Sequence, residues 1–244
     1  MSLAIVIPTY NERDTLPSLI DELEKVIEKI TEKWWILIVD DGSPDGTGKI
    51  AEELGQKYKN IAVIDRKTKL GLGSAYKEGF KFVLDKYNPD FIVEMDADYS
   101  HDPNEIASMI NHIHGYDYVI ASRHIPGSST IGWNSYRKTI HLLAGTFAGL
   151  CGGIKISDPT SGFRVFKNKT LNSINFSHIR SSGFAFQIEI LYSLKRLGFR
   201  GIELPTRFVN REKGKSKMGT SEATQFIKIC LFLLVKRINS TFKK

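Results

Sequence analysis

The stretch Phe91-Ile-Val-Glu-Met-Asp96-Ala-Asp98 decides how this chain is read. A short apolar run stops at two carboxylates one residue apart, and Pro103 follows soon after. That pattern fits a buried parallel strand over Phe91 to Met95. Asp96 and Asp98 then stand just past its C-terminal end, the edge of an open α/β sheet at which ligands bind. Residues at i and i+2 of an extended segment point the same way, so both carboxylates can face one ion. Two hard oxygen donors that leave most of a coordination shell empty suit Mg2+ or Mn2+ carrying a substrate diphosphate. The plainer reading is a polar strand end with a helix N-cap, and these residues alone leave both open.

Working outward, Leu3 to Pro8 reads as an apolar strand followed by the loop Tyr10-Asn-Glu12. Leu16, Ile20, Leu23, Ile27 and Ile30 recur at spacings of four and three, the stripe of an amphipathic helix. Trp35 to Val39 is a second strand, ended by the turn-rich Asp40-Asp-Gly-Ser-Pro-Asp-Gly-Thr47. A helix through Ile50, Leu54 and Tyr58 leads to a third strand, Ile61 to Ile64. Gly71-Leu-Gly-Ser74 opens a helix striped by Leu72, Ala75, Tyr76, Gly79, Phe80, Val83 and Leu84. Its glycines either admit a phosphate to backbone N–H groups or make a tight turn. Strands alternating with helices predict an α/β fold: a Rossmann-like, mostly parallel sheet with helices on both faces. The acidic and turn-rich loops all follow strands, so they converge on one edge, which strengthens the metal reading.

Beyond the central stretch, Pro103 to Ile113 reads as a helix, and Tyr118 to Ala121 as a strand ended by Ser122-Arg123-His124. Ile125 to Ser135 reads as a mobile loop. The uncharged segment Thr139 to Ile154 is too short and too broken by glycine to span a bilayer. It is either a core helix or one lying at an interface. Asp158-Pro-Thr-Ser-Gly-Phe-Arg164 enters a strand, and Phe184 to Leu197 is a helix carrying Gln187 and Glu189. Arg207 to Lys217 reads as a basic loop.

The 244 residues suffice for one large α/β domain, and a hydrophobic content of 41% argues against disorder. Two cysteines without metal-type spacing, and a start lacking a basic n-region, favour a cytoplasmic setting. The net charge of +7 is uneven. Residues 195–244 hold thirteen Lys/Arg against three Asp/Glu, whereas residues 1–194 hold twenty-one against twenty-four. A basic end on a mildly acidic body points to an anionic partner. The apolar run Phe226 to Val235, followed by Lys236-Arg237, suits the interface of an anionic membrane, or else a helix docked on the domain. Its uncharged part, Ile229 to Val235, falls far short of the ~20 residues needed to span. Interleaved exposed aromatics and a recognition motif are lacking, so nucleic acid is not an expected partner. The chain divides at most into a catalytic body, residues 1–220, and a basic amphipathic helix, residues 221–244.

Seven motifs in order carry a resemblance: Pro8-Thr-Tyr-Asn-Glu12, Asp40 to Thr47, Gly71-Leu-Gly-Ser-Ala-Tyr76, Met95-Asp-Ala-Asp98, Ser122-Arg123, Asp158 to Arg164 and Phe186-Gln-Ile-Glu189. Together they resemble glycosyltransferase family two, and within it the polyprenol-phosphate sugar synthases, dolichyl-phosphate mannosyltransferases above all. The resemblance implies a GT-A fold, a nucleotide-sugar donor such as GDP-mannose, a divalent ion (Mg2+ or Mn2+), and a dolichyl or other polyprenyl phosphate acceptor. It implies donor binding by Pro8, Tyr10, Glu12, Val39 and Asp41, and metal and diphosphate binding by Asp96, Ala97 and Asp98. Arg123 and Arg137 match positions near the acceptor phosphate. Arg211 and Lys217 match residues that close over the diphosphate or acceptor. Asp98, Arg123 and Arg211 are the expected catalytic set. Many relatives carry Gln two residues after the second Asp, where this chain has Ser100, which makes Ser100 the third metal-ligand candidate.

The expected activity is inverting transfer of mannose by an enzyme peripheral on the cytoplasmic face of a membrane, with a membrane subunit as a further partner. A UDP-sugar donor such as UDP-glucose, and a non-catalytic nucleotide-sugar-binding role, are the competing readings.

Overall fold

The computed structural model describes residues 1–210 and 220–241. The N-terminal half alternates strand and helix as its periodicity predicts: β1 (Ser2–Thr9), α1 (Leu16–Ile27), β2 (Lys33–Asp40), α2 (Thr47–Lys57), β3 (Ile61–Asp65), α3 (Leu72–Lys86), β4 (Phe91–Glu94), α4 (Glu105–His112) and β5 (Tyr118–Ser122). Pro17 lies in the first turn of α1, where its missing N–H leaves no intrahelical partner unsatisfied. After β5 come β6 (Ser129–Ile131), α5 (Ser135–Gly152), β7 (Arg164–Lys167), α6 (Asn168–Asn172), α7 (Phe186–Arg196), β8 (Gly201–Pro205), β9 (Arg207–Val209) and α8 (Thr220–Thr241).

The main sheet has seven strands in the order β3-β2-β1-β4-β7-β5-β8. All neighbours are parallel except β7, which runs antiparallel between β4 and β5. β1 alternates its faces as a strand must. Leu3, Ile5 and Ile7 pack toward α1, α2 and α4, while Ala4 and Val6 pack toward α3 and α7. The sheet is therefore covered on both faces, which is why its central strands are apolar throughout.

Gly79 brings α3 close to the sheet: a Cβ there would collide with Val6 Cγ1. Phe80 is fully buried among Tyr76, Phe166, Phe176 and Phe186, four aromatic rings from separate elements. Truncating such a side chain typically costs about 3–5 kcal/mol.

Two expectations change. Residues 125–135 are not wholly loop: β6 lies there and pairs in parallel with β9, which takes the first residues of the expected basic loop. Such three-residue strands are too short to show a period in the sequence. Helix α5 is also no core helix. It buries Gly145, Ala148, Cys151 and Gly152, while Tyr136, Ile140, Leu143, Phe147 and Leu150 are exposed. Its C-terminal carbonyls are held by Arg237, at 2.7 Å from Leu150 O, and by Lys195, at 3.1 Å from Gly152 O. Cations at a helix C-terminus also meet the negative end of its dipole. Helix α8 packs against α5 and α7 through Ile229, Cys230 and Leu233, and exposes Ile227, Leu231, Val235 and Ile238.

Candidate active site

Parallel β1, β2 and β4 deliver their following loops to one edge, and a cleft opens there. Its empty space, open mouth included, is about 650 Å3. Pro8, Tyr10, Glu12, Asp41, Asp96, Ala97 and Asp98 all line it, as do Lys69, Gly71, Phe184 and Glu222. Val39 does not: its side chain is buried in the core on the α3 side of β2. Arg211 and Lys217 lie outside the described residues.

The two carboxylates of the opening stretch are held from several sides. Tyr76 donates its phenol proton to Asp96 Oδ1 at 3.2 Å, and burial keeps that phenol protonated by raising its pKa well above the ordinary value. The Asp96 backbone N–H donates to His101 Nδ1 at 3.2 Å, which leaves the ring proton on Nε2 when His101 is neutral. His101 stacks on Phe163 with ring centroids 5.0 Å apart. Asp98 Oδ1 accepts from the Ser100 N–H at 3.1 Å and from its hydroxyl at 2.6 Å. Ser100 is thus first of all the group that orients Asp98. Tyr99 sits between them at φ +59°, the left-handed bend that turns the chain back.

Asp41 has a local role beside the cleft. Its carboxylate accepts from Arg66 Nη1 at 3.0 Å and from the N–H groups of Leu70 and Gly71 at 2.8 and 2.7 Å. The Gly71 amide is thus directed at Asp41. Gly71 stands at φ +98°, with its Cα against the Ser182 carbonyl, and a Cβ on Gly73 would lie 2.5 Å from Phe186 Cβ. Both glycines serve the close approach of α3 to residues 182–186. The Lys69 ammonium lies 3.7 Å from the centre of the Tyr10 ring and makes the cleft wall cationic beside Tyr10.

Beneath the carboxylates lies a buried ionic group. Glu94, Arg164 and Gln187 are almost wholly excluded from solvent. Gln187 donates to Glu94 Oε1, and Arg164 donates to the carbonyls of Gln187 and Pro159 at 3.1 and 3.0 Å. Burial pushes the Glu94 carboxyl up to about 7, against the opposing pull of Arg164 and Gln187. Glu94 stands inside the opening stretch and Arg164 closes a quoted motif. Their partnership across antiparallel β4 and β7 could not be read from spacing.

A second cluster of groups gathers around Trp133. Arg123 is bidentate on Asp158, with Nε and Nη2 at 2.7 and 2.8 Å from its two oxygens, and also reaches Thr160. Burial would raise the Asp158 pKa, but Arg123 outweighs it and holds the carboxyl well below the usual range. The Arg137 guanidinium lies 4.6 Å from the Trp133 ring and that of Arg123 5.5 Å from it. Arg137 also donates to Asn210 Oδ1 at 2.8 Å. The His141 ring lies tilted against Trp133, centroids 4.3 Å apart, and burial followed by the two arginines brings its pKa down to about 4. Arg123 and Arg137, expected together at the acceptor phosphate, thus meet on one indole, and Trp133 is the residue that no motif signals. Asp98 borders both the first cleft and a second one edged by Tyr99, Val209 and Asn210.

The fold and this edge define the chain as a GT-A protein with a cleft over an Asp-x-Asp pair. Solved structures share the fold. A glucosyl-3-phosphoglycerate synthase from Mycobacterium tuberculosis, in complex with Mn2+, UDP and phosphoglyceric acid, superposes with a TM-score of 0.70 at 19% identity over 96% of this chain and 78% of that one. A mannosyl-3-phosphoglycerate synthase from Rubrobacter xylanophilus gives 0.68 at 18% identity, over 100% and 76%. The glycosyl transferase family 2 model matches residues 4–174, and the chain belongs to that family. It is an enzyme of the glycosyltransferase class, as its motifs predict. It is 37% identical to an undecaprenyl-phosphate mannosyltransferase of Micrococcus luteus, over 89% of this chain and 88% of the relative. It is also 37% identical to a polyprenol monophosphomannose synthase of Mycolicibacterium smegmatis, over 89% and 81%.

Proposed function

We propose that the protein transfers mannose from GDP-mannose to a polyprenyl phosphate, dolichyl phosphate included, and does so at a membrane surface. The observation that carries this reading is the position of Asp98 between two clefts, one lined by acids and Lys69, the other edged by Asn210, which anchors Arg137. The names of the two curated relatives support the sugar and the acceptor.

Pro8, Tyr10, Glu12 and Asp41 would hold the nucleoside, with Asp96 and Asp98 at the diphosphate. Two oriented carboxylates among oxygen donors fit Mg2+ or Mn2+. Among the described residues no cluster of three His, Cys, Asp or Glu side chains could hold a metal, so the substrate would complete the coordination shell. A bound divalent ion would supply Lewis-acid stabilisation of the leaving diphosphate. Ser100 and Tyr76 fix the carboxylates that hold it. An acceptor phosphate is already ionised at neutral pH and needs no general base. It needs cations that bring two anions together. Arg137, with Arg123 behind it, supplies them. Attack from the side opposite the diphosphate gives inversion and a β-linked product.

The exposed apolar stripes of α5 and α8, with Lys228, Lys236 and Arg237 on α8, suit the interface of an anionic membrane. Among the described residues no helix is long and apolar enough to cross a membrane. Residues 221–244 would then serve as membrane attachment for a catalytic body at 1–220.

The test is a crossed assay of GDP-mannose, UDP-glucose and UDP-GlcNAc against polyprenyl phosphates with Mg2+ or Mn2+, followed by lipid extraction. GDP-mannose should give the most lipid-soluble sugar, β-linked. A preference for a UDP-sugar would overturn the donor, an α-linked product the inversion, and no lipid product from any donor the activity.

A further inference from the structure

We propose that Phe208 is a positioning residue for the transfer, its ring setting the spacing between the Asp96–Asp98 loop and the arginines of the acceptor side; this rests on the transfer reading above. The topology creates the need for such a spacer. The Asp-x-Asp loop follows β4 and Arg123 follows β5, but β7 lies between these two strands. The two loops therefore leave the sheet two strand spacings apart, about 10 Å. Their strands share no ladder, so their separation is fixed by whatever bridges the edge.

Residues 206–209 cross that gap. The Thr206 N–H donates to Ser122 O at 3.2 Å, one residue before Arg123. The Val209 N–H donates to Ser100 O at 3.3 Å, two residues after Asp98. Phe208 stands between these anchors. Its ring makes T-shaped contacts with His101 and Trp133, centroids 5.9 and 5.3 Å apart, and the Arg123 guanidinium lies 5.3 Å from its centre. His101 is the ring whose Nδ1 holds the Asp96 N–H, and Trp133 is the indole that Arg123 and Arg137 share. One side chain thus touches the support of the first carboxylate and the support of both arginines. Phe208 lines neither of the clefts that Asp98 borders, so it acts through these groups rather than on a substrate.

Each half also has support of its own. Asp98 is held by Ser100, and His101 stacks on Phe163. Arg123 is clamped by Asp158 and Thr160. Removing the Phe208 ring therefore leaves both halves formed and loosens the distance between them. Binding of each substrate depends on its own half, whereas displacement needs the reacting atoms held about 3–3.5 Å apart. The expected signature is a fall in kcat with little change in either KM. A ring that merely filled space would alter stability and the fraction of folded enzyme, but not kcat per folded molecule.

The test measures kcat and both KM values for wild type, Phe208→Ala, Phe208→Leu and Phe208→Tyr, with folded molecules counted by Mn2+-dependent binding of the nucleoside diphosphate. The substrates are polyprenyl phosphate and GDP-mannose or UDP-glucose, whichever wild type uses. Phe208→Ala should lower kcat about a hundredfold and Phe208→Leu about tenfold, with both KM values within about threefold of wild type, while Phe208→Tyr, which keeps the ring, should retain kcat within about threefold. An unchanged kcat in Phe208→Ala, a loss carried by either KM, or a Phe208→Tyr enzyme as slow as Phe208→Ala overturns the role of Phe208 and leaves the transfer reading intact. Wild type that transfers no sugar from either donor overturns both. Should Phe208→Ala fail to fold, Phe208→Leu decides by the same split.

Discussion

Helices α3 and α5 both repeat apolar residues at spacings of three and four, yet they turn those residues opposite ways. In α3 the stripe faces the sheet, with Gly79 letting the backbone close on Val6 and Phe80 filling an aromatic pocket. Charged residues, among them Lys77, Glu78 and Lys81, occupy its other faces. In α5 the inward face is small (Gly145, Ala148, Cys151, Gly152), and the large residues Tyr136, Leu143 and Leu150 are 74%, 63% and 68% exposed. Small residues allow α8 to lie close, and the large ones are left for something outside the chain. An apolar stripe with no charged face opposite it marks a surface to be covered, and soluble domains rarely leave such patches open without a use.

That contrast can be broken in graded steps. Phe80→Ala should cost about 3–5 kcal/mol of stability and lower the midpoint of thermal unfolding. An unchanged midpoint would mean the α3 side is less tightly packed than described. Arg123→Ala leaves Asp158 buried without its ion pair and should cost about 3 kcal/mol. The pair also sets an acid limit: the Asp158 pKa is depressed, so its stabilisation is full above the unfolded carboxylate range and is lost as pH falls through the folded value. Denaturant titration at low pH, with and without the Arg123→Ala change, measures both.

Another effect has the opposite sign in pH. Glu94 has a folded pKa raised to about 7, so the native state holds an extra proton between the ordinary carboxylate range and that value. Its contribution is full at low pH and declines as pH rises through about 7. The loss should be at most about 3 kcal/mol, the rise from the ordinary glutamate value to about 7 already including the groups that oppose it. Glu94→Gln should flatten that slope, and an unaltered slope would place the titration elsewhere. The smallest stability effect is expected from Leu143→Ser with Leu150→Ser, within ~0.5 kcal/mol of wild type. The same pair should weaken binding to anionic phospholipid vesicles about tenfold or more. Retained vesicle binding would end the membrane role of α5.

Much of the donor edge was legible because it is local. Each motif there sits at the end of one strand, so a linear reading of Pro8 to Glu12, Asp40 to Thr47 and Asp96 to Asp98 finds it. Ser100 was legible only as a metal-ligand candidate, whereas in the structure its hydroxyl donates to Asp98 as an i+2 partner. What was not legible depends on distant pairs. β7 enters antiparallel between β4 and β5 and carries Arg164 to Glu94. β6 and β9 meet across some eighty residues and frame Trp133 with Phe208, whose rings lie 5.3 Å apart. Val39, whose resemblance implied donor binding, is held in the core by the pleat of β2. Glu222 reaches the cleft from α8, which the sequence left as a membrane-facing helix or one docked on the domain and did not join to the donor edge.

The central claim is tested most directly by incubating the enzyme with labelled GDP-mannose, Mn2+ and vesicles containing polyprenyl phosphate, beside Asp98→Ala. Wild type should move mannose into the lipid phase, and Asp98→Ala should do so about a thousandfold more slowly, the several kcal/mol that a metal-held leaving group represents. No lipid-phase mannose from wild type, or undiminished transfer by Asp98→Ala, would contradict the account.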